Sequence, residues 1–148
     1  MGTIKPTPAE ICTTFMETIL WHLVDPTAEI LNHSLLCAQS GLKLSAKDSV
    51  NHLKNLWMIC KECGCPNLTV MVFNKKSHLP GDWYFNVFES INPEIRYHRA
   101  QHVKEELLKV EAYLDWDEIA KKYCLSESLI FRLTARKRKL QLLKKVRD

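Results

Sequence analysis

Apolar residues return every four positions at Ile11, Phe15, Ile19 and Leu23, which marks one face of a helix. Thr7-Pro8-Ala9-Glu10 supplies its start: Thr7 as cap, Pro8 at the first helical position, and Glu10 reaching back as the capping-box partner. Asp25-Pro26 ends that helix and opens a second, with Ile30, Leu31 and Leu35 on its apolar face and Gly41 as its stop. Ser45-Ala-Lys-Asp48 opens a third, which runs through Val50, Leu53, Trp57 and Cys60 to Gly64. After Pro66 the period changes. Leu68–Phe73 is β-branched and apolar on both faces, as a central strand would be, and Trp83–Phe88 reads as a second strand. The intervening Asn74, Lys75, Lys76 and the turn pair Pro80-Gly81 fit an antiparallel hairpin with a long loop. Asn92-Pro93-Glu94 restarts a helix with Ile95, Val103, Leu107 and Val110 facing inward. The predicted fold class is therefore α+β: a helical N-terminal half, a β-hairpin or small antiparallel sheet, then C-terminal helices.

The stretch 116–133 reads as two short helices around a tight turn. Ile119 and Tyr123 lie one turn apart, Leu125 sits in the turn, and Ile130 and Leu133 share the inner face of the second helix. Ala120 falls where a steep crossing leaves no room for a larger side chain, and Ser126 can cap the second helix with Glu127 near its positive end. This spacing resembles the helix-turn-helix of DNA-binding proteins, whose second helix enters the major groove. Cys124 stands where many members carry glycine, so the backbone there must strain or avoid positive φ. The alternative for the same pattern is an ordinary helical hairpin. No linker composition marks a domain boundary; a division into a body of residues 1–115 and a C-terminal unit of 116–148 is the natural one.

Charge sharpens the reading. The net charge is +4, but from Ile119 onward ten Lys or Arg stand against two acids, whereas the preceding residues carry eleven against fifteen. An acidic body with a basic end suits contact with nucleic acid, and equally a solvated terminal helix. Within Arg136-Lys-Arg-Lys139 and the later Lys144, Lys145 and Arg147, apolar Leu133, Leu140 and Leu143 interleave at helical spacing. Arg132, Arg136, Lys137, Arg138 and Lys139 are the candidates for phosphate contact, and Glu127, Ser128 and Phe131 for base contact.

Two other motifs compete. Cys60-Lys-Glu-Cys63-Gly-Cys65 holds a C-x-x-C pair that could grip zinc, but a structural site needs four ligands and the sequence offers no second pair. His78, His98 or His102 could complete it only through the fold, so no metal and no cofactor are expected. Six cysteines without a secretory signal suit reduced thiols, and no apolar run spans a bilayer; the expected compartment is the cytoplasm. The loop Asn74–Asp82, with two lysines and His78, could hold phosphate or serve general acid–base chemistry, although His78 has no carboxylate partner in sequence. No catalytic residue is assigned. Pro66-Asn-Leu-Thr-Val-Met-Val-Phe-Asn-Lys-Lys-Ser-His-Leu-Pro-Gly81, followed by Tyr113, Asp115 and Trp116, resembles small bacterial proteins of unassigned function with an Asn-Lys-x4-Pro-Gly loop. That similarity covers residues 50–116 and implies a shared fold without an activity.

The reading that emerges is a DNA-binding regulator of bacterial or mobile-element type, with duplex DNA as partner and no membrane association. A homodimer remains open. The alternatives are a small nucleic-acid-processing enzyme using the 74–82 loop, and a phage or plasmid inhibitor or adaptor that binds a protein target.

Overall fold

The computed structural model describes residues 6–25 and 27–147, and among these the regular elements are helical. They are α1 (Pro8–Val24), α2 (His33–Ser40), α3 (Ala46–Cys63), α4 (Asp82–Ile91), α5 (Arg99–Ala112), α6 (Trp116–Lys122) and α7 (Glu127–Arg147), with 3-10 turns at Leu68–Met71 and Pro93–Tyr97. α1 is the centre. It packs against α2, α3, α7 and the first 3-10 turn, and buries Ile11, Cys12, Phe15, Met16, Ile19 and Leu20. Two adjacent stripes are thus covered rather than the single one the four-residue repeat marks.

Local chemistry sets most helix ends where the sequence places them. Thr7 Oγ1 accepts from the Glu10 N–H at 3.2 Å while the Glu10 carboxylate accepts from the Thr7 N–H at 3.5 Å, completing the capping box. Ser45 caps α3, and Gly41 and Gly64 close α2 and α3 with φ of 70° and 69°, a conformation that costs a residue with a Cβ. The second helix is shorter than its apolar pattern suggests. It begins only after Asn32, whose side chain accepts from the Leu35 N–H, and Ile30 is left exposed. Pro26, read as part of that boundary, lies outside the described residues.

The α+β expectation is overturned. Neither predicted strand exists among the described residues; the chain there is all-helical with connecting turns. Leu68–Phe73 is apolar on both faces because Leu68, Thr69, Val70 and Val72 are all buried, which a short buried turn explains as well as a central strand does. Asn67 decides it. Its side-chain oxygen accepts from the Thr69 N–H at 3.0 Å and the Thr69 hydroxyl at 2.6 Å, which folds the backbone into a 3-10 turn. The sole β-type pairing among the described residues is an isolated parallel bridge between Asn32 and Phe73. Trp83–Phe88 is helical because Tyr84, Phe85 and Phe88, at i, i+1 and i+4, form one aromatic face. Tyr84 stacks on Phe88 at 4.5 Å and meets Phe85 edge-on at 5.3 Å. Strand propensity of aromatic residues is a weak prior, and packing overrides it.

The core is continuous from α1 to α7, and includes Ile119, Ala120, Leu125, Leu129 and Leu133 alongside the residues of α1 and α3. Burying Leu129 and Leu133 fully contributes about 1.5–3 kcal/mol each.

Candidate nucleic-acid interface

α6 is placed by its first residue. Trp116 is fully buried, donates its indole N–H to the Val110 carbonyl at 2.9 Å, and packs edge-on against Tyr113 at 4.7 Å. Four residues, Tyr123–Ser126, then separate α6 from α7. Cys124 in this turn has φ of 55°, so of the two outcomes open to a turn without glycine the backbone takes the strained, left-handed one. Ser126 Oγ accepts from the Leu129 N–H at 3.4 Å, and its own N–H donates to Glu17 of α1 at 2.8 Å. The start of α7 is thereby tied to the central helix.

The inner face of α7 differs by one residue from the expected register. Leu129 and Leu133 are buried, whereas Ile130 and Tyr123 are half-buried. Rotating the helix this way carries positions 136 and 137 toward the protein. The Arg136 guanidinium donates to the carbonyls of Glu111 and Tyr113, covering the end of α5, and its burial lowers its pKa. Lys137 pairs with Asp115 at 2.9 Å and with the buried Asp117 at 3.4 Å; the hydrogen bond to Asp115 raises the lysine pKa. Thr134 donates to the other oxygen of Asp117 at 3.3 Å. Two of the basic residues expected to meet phosphate thus hold α7 against the α5–α6 junction. Their sequence signal is legible in retrospect: they follow Leu133 at i+3 and i+4 and Leu129 at i+7 and i+8, on the stripe that continues to the half-buried Leu140.

The remaining candidates stay outside. Glu127, Ser128, Phe131 and Arg132 are exposed on the first turns of α7, with Phe131 74% exposed. Arg138 and Lys139 are exposed, and every described residue from Gln141 to Arg147 is exposed as well. Within the described residues, Arg138, Lys139, Lys144 and Lys145 form no ion pair.

The two competing motifs resolve differently. The loop after Phe73 is closed by its own backbone: the Asn74 N–H donates to the Leu79 carbonyl at 2.7 Å, the His78 N–H to the Asn74 carbonyl at 3.0 Å, and Asn74 Oδ1 accepts from the Lys76 N–H. His78 is exposed with φ of 58°, and Asp82 opens α4. Cys60, Cys63 and Cys65 gather at the end of α3, and no group of three or more metal-ligating side chains forms among the described residues. No described helix is long and apolar enough to cross a membrane.

Comparison with family models, with curated proteins and with solved structures yields no match.

Proposed function

We propose that the chain binds duplex DNA through the outer face of α7, with α6 as the support that holds this helix at a fixed angle. The observation that carries the reading is the sorting of charge on α7. Arg136 and Lys137 turn inward as structural ties, while Arg132, Arg138, Lys139, Lys144, Lys145 and Arg147 stay exposed. Exposed cations along one helix, over a body that is net acidic, favour an extended polyanion. Glu127, Ser128 and Phe131 lie on the first turns of that helix, where side chains of a recognition helix meet base edges, and Phe131 offers an apolar face to a thymine methyl.

A second reading, docking on a protein target or on a second copy, rests on a different feature of the same helix. Leu142, Leu143 and Val146 are 63%, 42% and 78% exposed in its last turns, beside the cations.

A titration against random duplex DNA at two salt concentrations separates the readings. Replacing Arg138, Lys139, Lys144 and Lys145 together with glutamine keeps helix propensity and removes four exposed charges. If all four meet phosphates, the slope of log affinity against log salt falls by about 3.6. An unchanged slope removes these residues from the interface. No binding by the parent protein at low salt shifts the assignment to the protein-docking reading.

A further inference from the structure

Half of the six cysteines lie at the C-terminal cap of α3, and all six are free thiols. Gly64 turns the chain back there, so the Cys65 N–H donates to the Cys60 carbonyl at 3.1 Å. That bond keeps the two α-carbons in the range a disulfide spans. The side chains follow the backbone: the Cys65 thiol donates to the Cys60 carbonyl at 3.6 Å. Both residues line a cleft of about 610 Å³ between α3 and α5, walled by Trp57 and Tyr113, where Cys65 is half-buried and Cys60 is 1% exposed.

Cys63 is placed differently. Its sulfur is engaged by the Tyr123 hydroxyl at 3.5 Å and the Lys122 ammonium at 3.6 Å. It also shares α3 with Cys60 at i+3, where Cβ atoms stand about 5–6 Å apart. A disulfide requires about 3.5–4.5 Å, so a bond within the C-x-x-C pair would have to unwind the helix. In the cap-spanning pair the Cys65 thiol already lies over the Cys60 residue, 3.6 Å from its carbonyl oxygen.

We propose that Cys60 and Cys65 are a redox-active dithiol, which a peroxide entering the cleft oxidises to a disulfide across the helix cap. Hydrogen bonding of the Cys65 thiol to the Cys60 anion lowers the pKa of Cys60 and raises that of Cys65, so the anion develops on Cys60. The Cys60 thiolate attacks one peroxide oxygen. The O–O bond breaks, hydroxide leaves and takes up a proton to become water, and Cys60 becomes a sulfenic acid. Cys65 then gives up its proton, its sulfur attacks the Cys60 sulfur, and a second hydroxide leaves as water. Two thiols and one hydrogen peroxide become one disulfide and two waters, with two electrons passing from sulfur to oxygen. A small thiol reverses the bond by exchange. Nothing in this chemistry depends on DNA binding.

The test uses the full chain, reduced, freed of reductant and treated with equimolar hydrogen peroxide. Remaining thiols are blocked, and the protein is digested with trypsin without reduction. Cleavage after Lys61 separates Cys60 from Cys63 and Cys65, so any bond from Cys60 appears as two linked peptides. The expected result is loss of two thiols and a linked pair that persists in Cys63→Ser, disappears in Cys65→Ser and is released by dithiothreitol. Fragmentation of the linked peptides from the parent protein identifies the second sulfur directly, so the result stands even if a variant folds poorly. A bond to Cys63, or a treated chain with no bond from Cys60, overturns the proposal.

Discussion

Replacing Arg136 with glutamine tests whether this cation is a phosphate ligand or a structural tie. The side chain is half-buried and donates to two main-chain carbonyls, those of Glu111 and Tyr113, at the end of α5. A hydrogen bond from a charged donor contributes about 1.5–3 kcal/mol. The contact to Tyr113 is long at 3.4 Å, so the pair together is taken at the value of one good bond. Glutamine preserves the stem and the helix propensity, which confines the change to the lost guanidinium. The expected loss of stability is about 1.5–3 kcal/mol, or roughly 3–10 °C in Tm for a chain of this size. Arg138→Gln, two residues on and exposed, is the control and should change stability by no more than about 0.5 kcal/mol. Urea denaturation in the presence of a thiol reductant, followed by the helical circular dichroism signal, measures both. Equal midpoints for the two variants would show that Arg136 is free in solution and would return it to the phosphate-contact set.

Leu129→Ala should cost about 2–5 kcal/mol in the same assay, because its side chain is fully buried, and Ile130→Ala should cost clearly less; the reverse order would place α7 in the other register. Burial lowers the pKa of His33 and of His102, so below the ordinary histidine value of about 6.5 the unfolded chain takes up protons that the folded one resists. This contribution to stability is therefore fully present above that pH and is lost as pH falls below it through the lowered folded-state values. His102→Gln, which keeps a partner for the Tyr84 hydroxyl, should flatten the urea midpoint against pH, and an unaltered profile would contradict the assignment.

Where a structural choice depends on groups a few residues apart, it was legible in the sequence. The capping box of Thr7 and Glu10, the Ser45 cap, and the left-handed closures at Gly41 and Gly64 are each made within one turn of chain. The break between α6 and α7 is local in the same way, since Ser126 caps its own helix. Choices that depend on distant partners were not legible. The aromatic run 83–88 has strand composition, and it is helical because Tyr84, Phe85 and Phe88 pack together on one face, with His102 of α5 closing against them. Four successive basic residues look alike in sequence. Arg136 and Lys137 are separated from Arg138 and Lys139 only by the rotation of α7, which the seating of Leu129 and Leu133 sets and which the carbonyls of α5 and the carboxylates of Asp115 and Asp117 then reward. A helix carries its cations all round. Its neighbours decide which of them remain for a ligand.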